Sequence, residues 1–387
     1  MMAALVLVVT GGGAAFLTAL LVPPVTRLST RKGWLAHPGP RHIHQSPTPT
    51  VGGLAILGGV VGALVLSLVL ESLSPLLQRS PYEHLRLGLL LAGAAMVAGV
   101  SFLDDVRPLA ASLRLGVHIG AALVVVGPYL WDQTLYPDAN GYLTEARGII
   151  LTAFNFPFID QVHLHALSPW LAVGATIVWV VGLQNMLNWV DGLDGLAAGV
   201  TLIAALVLTL HSLHLGQWTV ALLPLALAGA CAGFLPFNVH PAQTFMGDVG
   251  AMTLGYVLAA SAIIGGAKLA TALLVLAVPL VDMAWLILWR LRHGRSAASP
   301  GRDHLHHRLV DLGFSQRQVA GFYYVLSAAS GSIALLDWIT PAAKLVALAA
   351  MGMLVMTIIW SVSRRPAPVV RNQPVPEGNT DDEQRGS

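Results

Sequence analysis

The sequence predicts an all-α polytopic membrane protein of about 11 transmembrane helices, with its chemistry placed in cytoplasmic loops. Three observations carry that prediction. The 387 residues are 55% hydrophobic and only 10% charged, whereas a soluble chain carries about a quarter charged residues. The apolar residues fall in runs close to the ~20 that a helix needs to cross hydrocarbon. The 19 acidic residues are sparse, and several are grouped in short polar islands between those runs.

In chain order the candidate spans are 3–24, 52–73, 87–103, 114–131, 170–187, 195–215, 218–236, 249–265, 269–290, 318–338 and 341–362. The first has no basic residues ahead of it and ends in LLVPPVTRLSTRK, so it reads as an uncleaved span rather than a signal peptide. Very short turns join the sixth span to the seventh and the eighth to the ninth. The loop 132–169 contains DQTLYPDANGY and FNFPFID, which suit a hairpin or an interfacial segment. The Pro-rich, charged tail 363–387 is expected to be disordered, leaving residues 1–362 as one integral-membrane catalytic domain. The single cysteine, Cys231, excludes an intrachain disulfide and a thiolate metal cluster, and reads as a small core residue. No internal repeat is evident, which weighs against a transporter built from inverted halves.

Parity places loops 25–51, 104–113, 188–194, 237–248 and 291–317 on one side, together with the tail. Sixteen of the 21 Lys and Arg residues fall on that side, so the positive-inside rule makes it cytoplasmic. The polar islands all share it: FLDDVRPL, NMLNWVDGLDGLAAG, FMGDVGAM and GRDHLHHRL. No nucleic-acid partner is implied.

The islands hold candidate chemistry. Asp104 and Asp105 are adjacent, so on a helix they face different ways and should have different tasks, with Arg107 or Arg114 as candidate ion partners. The bland alternative is a polar stop at the end of a span. Asp191 and Asp194 are three apart and share a helical face, and Asn185 and Asn188 extend that stripe toward the membrane. One of the two aspartates could instead cap the following helix. Asp248 sits where a helix dipole favours an anion, so an N-cap is again the plain alternative. Several Asp and Asn side chains without thiols suit Mg²⁺, with Mn²⁺ as a second choice, better than Zn²⁺. His304, His306 and His307 could form a zinc site, but Arg302 and Arg308 beside them favour anion recognition, with diphosphate or sugar hydroxyls as targets. Arg41 and His44 add cationic or polar groups in the first loop. Asp282, inside the ninth span, is either functional or a buried helix–helix hydrogen-bonding group.

In order, HPGPRHIHQSPTPTVGG, FLDDVRPL, NMLNWVDGLDGLAAG, FNVHPAQTFMGDVG and DHLHHRLVDLGFSQRQV resemble the motifs of the polyprenyl-phosphate N-acetylhexosamine-1-phosphate transferases over most of residues 23–320. The form DHLHHRL is similar to the N-acetylglucosamine-1-phosphate branch; the phospho-MurNAc-pentapeptide branch, the alternative, shows a triple-histidine form. A proton- or ion-coupled secondary transporter is the reading from a different class. His42 stands where a lysine is common, and Arg107 departs from a lysine often seen after the DD pair.

The resemblance implies transfer of N-acetylglucosamine-1-phosphate from UDP-GlcNAc to undecaprenyl phosphate in a bacterial inner membrane, releasing UMP at the start of cell-envelope glycan synthesis. It implies Asp248 and Asn188 as Mg²⁺ ligands, with Asp191 and Asp194 at the metal or nucleotide. Phe245 would stack on uracil beside Asn238, with Asn185, Arg41 and His44 as further substrate-binding residues. His304, His306 and His307 would meet the sugar phosphate with Arg302 or Arg308. Asp104 or Asp105 would act at the lipid phosphate. A homodimer is expected by family analogy alone. A phosphate monoester has a second pKa of about 6 and so is largely dianionic at neutral pH. The DD pair is therefore expected to act through proton control and positioning more than as a strong base.

Overall fold

The computed structural model describes residues 2–37, 46–137, 143–154, 162–264, 268–296, 303–336 and 341–363. Helix α1 (Met2–Lys32) leads through strands β1 (Leu35–Ala36) and β2 (Thr48–Pro49) to α2 (Gly53–Leu70), α3 (Pro81–Val106) and α4 (Ala111–Trp131). Strands β3 (Tyr136–Pro137), β4 (Leu143–Glu145), β5 (Ala153–Phe154) and β6 (Val162–His163) and the short helix α5 (Leu164–Leu167) follow. The chain continues through α6 (Pro169–Val190), α7 (Leu196–His214), α8 (Trp218–Asn238) and α9 (Gly247–Ile263). It ends in α10 (Leu269–Val275), α11 (Ala277–Arg292), α12 (Leu305–Asp311), α13 (Gln316–Leu335) and α14 (Pro341–Ser363).

Each expected span coincides with helix, but the expected count of 11 needs correction. Among the described residues, eight helices are long and apolar enough to cross a membrane, or nine if α10 and α11 form one bent span. The eighth expected span is the 17-residue α9, about 25 Å long and short of the ~30 Å hydrocarbon layer. Its length has a physical reason: every residue from Val249 to Ile263 is buried. Helix α9 is the central rod of the bundle, packed on by α2, α3 and α6, and has no lipid thickness to match. The ninth expected span is broken by 81° between α10 and α11, and the tenth, α13, is not among the eight either. Pro279 falls in the first turn of α11, where a missing N–H costs no bond, while its ring would clash with the carbonyl four residues back in a straight helix.

Among the described residues, loop 132–169 contains two short antiparallel pairings, β3–β4 and β5–β6, and α5; of the two alternatives read from the sequence, a hairpin or an interfacial segment, the pairings match the first. The tail lies outside the described residues from 364 onward. Capping boxes start α3 (Ser80 with Glu83) and α13 (Ser315 with Gln318), setting two helix entries by reciprocal side-chain bonds.

The alternation of helix direction matters most for the site. The C-terminal ends of α3, α6 and α8 meet the N-terminal ends of α2, α9 and α13 at one end of the bundle. Pro49 and Thr50 lie against residues 244–247 there: the Phe245 N–H donates to the Pro49 carbonyl at 2.8 Å, and the Gly52 N–H donates to the Phe245 carbonyl at 3.0 Å.

Candidate active site

At that end lies a cleft of ≈ 340 Å³ lined by Ala36, Thr50, Asp105, Asn188, Asp191, Gly192, Leu193, Asp194, Asn238, Phe245, Gly247, Asp248, His307 and Gln316. It draws together residues from islands more than 200 positions apart. Its acidic wall is built by helix ends. Asp105, in the last turn of α3, accepts the backbone N–H of Asp248 at 2.9 Å and of Val249 at 3.0 Å. It thereby satisfies donors in the first turn of α9, which no residue of α9 itself could reach. Gly247 makes this approach feasible. Its φ is +70°, and a Cβ there would stand 2.3 Å from the Thr50 carbonyl oxygen and 2.6 Å from Asp105 Oδ2.

Asp104 faces away from Asp105, as adjacent helical positions must. It accepts the Leu109 N–H at 2.6 Å and pairs with Arg114, whose Nη1 also lies 3.4 Å from Asp248 Oδ2. Asp104 therefore stands behind the cleft beside Arg114 and Asp248 and does not line it. Asn188 Nδ2 donates to Asp248 Oδ1 at 2.7 Å. Asp194 accepts from His240 Nδ1 at 2.7 Å and from the Ala242 N–H at 3.1 Å, while its own N–H donates to Gln316 Oε1 at 3.3 Å. Asn238 accepts the Gly195 N–H at 3.1 Å and donates to the Thr244 carbonyl at 3.0 Å. Asp194 and Asn238 thus brace the 239–245 loop that carries Phe245.

Asp191, just beyond α6, opens onto the cleft yet is closely walled by protein. Burial, and then the charges of Asp248, Asp105 and Asp194, push its carboxyl well above the usual carboxylate range. Carboxylates that repel one another around a polar cleft form a site that a cation would relieve. Among the described residues no three His, Cys, Asp or Glu side chains stand close enough to cage a metal. Asp248 and Asn188 offer adjacent hard donors on the cleft wall, with Asp191 and Asp105 beside them.

The opposite wall is the histidine island. His307 lines the cleft, while His306 and His304 stand behind it, 1% and 7% exposed. Gly192 makes the two walls meet: a Cβ there would lie 2.5 Å from His306 Nε2 and 3.0 Å from His307 Nε2. Neither ring nitrogen of His306 has a hydrogen-bond partner among the described residues. Burial, followed by His307 and His304, holds its pKa well below the ordinary value, so the ring is neutral. Arg308 donates through Nε to the Asp303 carbonyl at 2.7 Å.

Of the sequence-derived candidates, the cleft collects Asp105, Asp191, Asp194, Asn188, Asn238, Phe245, Asp248 and His307. Asp104, His304, His306 and Arg308 form its backing. Asn185 sits one turn deeper, and its Nδ2 donates to the Val181 carbonyl of its own helix at 2.8 Å; it is not among the lining residues. Arg41, His44 and Arg302 lie outside the described residues. Sequence reasoning missed Thr50 and Gln316 as lining residues and His240 as the partner of Asp194. All three lie inside the motif segments PTPTVGG, GFSQRQV and FNVHPAQTF, yet nothing in their spacing tells that Thr50 and Gln316 line the cleft or that His240 pairs with Asp194.

Residues 87–266 match the family model described as glycosyl transferase family 4. The chain is 36% identical over 344 residues to a decaprenyl-phosphate N-acetylglucosaminephosphotransferase of Mycobacterium tuberculosis, covering 82% of this chain and 79% of the relative. It is 29% identical over 327 residues to a probable undecaprenyl-phosphate N-acetylglucosaminyl 1-phosphate transferase of Bacillus subtilis, covering 81% and 82%. A phospho-N-acetylmuramoyl-pentapeptide-transferase of Desulforudis audaxviator is 30% identical over 327 residues, covering 81% and 92%.

Proposed function

Because the chain belongs to glycosyl transferase family 4, we propose that it transfers N-acetylglucosamine-1-phosphate from UDP-GlcNAc to undecaprenyl phosphate at the cytoplasmic face of a bacterial inner membrane. An oxygen of the lipid phosphate bonds to the sugar-bearing phosphorus, the bond from that phosphorus to the bridging oxygen breaks, and UMP leaves. The observation that carries the reading is the cleft itself, where oxygen donors from the ends of α3, α6 and α9 face His307 across Gly192.

The donor set suits Mg²⁺, which is commonly held by one or two carboxylates plus substrate phosphates rather than by a full protein cage. Asp248 and Asn188 would hold it, Asn188 through its amide oxygen, with Asp191 close by. When bound, the ion supplies charge neutralisation for the diphosphate. Phe245 offers a face to the uracil ring, and Asp194 and Asn238 keep its loop in place. His307 reaches the sugar-phosphate side. Arg114 spans Asp104 and Asp248 and adds positive charge near the incoming lipid phosphate. Both oxygens of Asp105 are engaged by backbone N–H groups, which supports a positioning task for it over that of a free base.

The test is UMP release by purified protein with undecaprenyl phosphate and Mg²⁺, offering UDP-GlcNAc, UDP-GalNAc and UDP-MurNAc-pentapeptide in parallel. Turnover with UDP-GlcNAc at least about tenfold above the others is expected. Preference for the pentapeptide donor would move the chain to the other branch, and no turnover with any donor would sink the reading.

A further inference from the structure

We propose that Asp282 is a positioning residue for the histidine island: from inside the bundle it fixes the ring of His304 and the first turn of α12, and so the placement of His306 and His307. Its activity readouts rest on the transferase reading above.

A carboxylate within an apolar helix is costly and calls for specific partners. Asp282, on α11, is 4% exposed, and one short segment engages both its oxygens. Oδ2 lies 3.1 Å from His304 Nδ1, and Oδ1 accepts the Leu305 N–H at 3.0 Å. A carboxylate accepting on both oxygens requires the His304 proton on Nδ1, which defines the tautomer. The Leu305 N–H is one of the donors a helix cannot satisfy within itself, so the second oxygen caps α12 from a different helix. Helix α12 has seven residues, too few to hold a direction by its own hydrogen bonds.

The rings relay that anchoring to the cleft. His304 stacks on His306 with centroids 5.5 Å apart and planes 9° from parallel, and His306 meets His307 at 4.3 Å. Trp189 lies 5.3 Å from His304, and the Arg290 guanidinium is 5.9 Å from Trp189. Arg290 also places Nη2 3.8 Å from Asp303 Oδ2. Two buried residues of α11, eight positions apart and opposite in charge type, thus hold residues 303–305. The 81° bend before α11 sets the direction from which they do so.

The experiment compares full-length wild type, Asp282→Asn, Asp282→Glu, His304→Gln and the double variant Asp282→Asn/His304→Gln in lipid nanodiscs. Turnover is followed by UMP release, and the His304 proton by ¹⁵N NMR of histidine-labelled protein. Asparagine keeps an acceptor for Leu305 but not a second one for His304. Asp282→Asn should lower kcat per folded molecule roughly 10- to 100-fold, with the KM for undecaprenyl phosphate unchanged and the thermal midpoint lowered but still above the assay temperature, and glutamate should recover part of the loss in kcat. The double variant should be no worse than the poorer single, because both act through one contact. The His304 proton should leave Nδ1 in Asp282→Asn. Wild-type kcat in Asp282→Asn, multiplicative losses in the double variant, or an unmoved ring proton would overturn the proposal. If Asp282→Asn does not fold, Asp282→Glu against His304→Gln gives the same comparison. Absence of UMP release by the wild type would defeat the transferase reading instead, and the NMR arm would still decide the role of Asp282.

Discussion

The two ends of the bundle use charge in opposite ways. At the end away from the cleft, Arg79 pairs with Glu71 at 3.0 Å, Arg147 pairs with Asp132 at 3.0 Å, and the buried Arg86 donates to the Ala146 carbonyl. Glu83 closes the α3 cap and accepts from Thr219. The cavity among Arg79, Glu83 and Arg86 is only ≈ 40 Å³. At the cleft end, Asp105, Asp191, Asp194 and Asp248 line ≈ 340 Å³, and Arg114 bridges Asp248 to Asp104. Charges at the first end are clamps that complete one another. Those at the second leave negative charge in excess, and an excess held beside an open volume is what a cationic or metal-bridged ligand can use.

Asp248→Asn should have the largest effect on turnover, lowering kcat roughly 10²- to 10³-fold while leaving the thermal midpoint equal or higher, since a repelling charge is removed. Chelation of divalent ions should abolish UMP release and added Mg²⁺ should restore it. A fully active chelated enzyme would contradict the contrast between the ends. Asp105→Asn is expected to lose roughly tenfold through one lost backbone bond at α9. Raising the pH above the lipid-phosphate value of about 6 should not rescue it; full rescue would instead favour Asp105 as a general base.

Asp191 gives a pH signature. Its folded pKa lies above the ordinary value of about 3.9, so its contribution to stability is fully present below that value and is lost as pH rises through the folded pKa. In metal-free protein the thermal midpoint should fall across that window, and Asp191→Asn should flatten the fall; identical profiles would count against the charge excess. Glu71→Gln, at the other end, should change turnover least. It should cost about 1–3 kcal/mol of stability and leave kcat per folded molecule as in wild type, as denaturation and UMP assays together can check.

Apolar run length was enough to locate the helices, because hydrocarbon imposes a length that sequence displays directly. It could not count crossings. Helix α9 is as apolar as its neighbours, but its all-round burial is a tertiary fact, and the break at Leu276 depends on a proline three residues later. The acids of the islands were readable because charge in such a chain is rare. Their division of labour was less so. Asn185 and Asn188 share a helical stripe, yet only Asn188 reaches Asp248, while the amide of Asn185 turns back onto its own helix. His304, His306 and His307 look equivalent in sequence, whereas His304 precedes α12 and turns to Asp282, His306 is buried within α12, and His307 is left at the cleft.

The contact between Asp105 and the start of α9 also has a consequence for biogenesis. Its hydrogen bonds join positions 143 and 144 residues apart, so a nascent chain already holding α1 to α8 in the bilayer still lacks the acidic wall. The pocket is complete only after the central rod has docked and α12 and α13 have added His307 and Gln316, which confines activity to chains whose interior is already assembled.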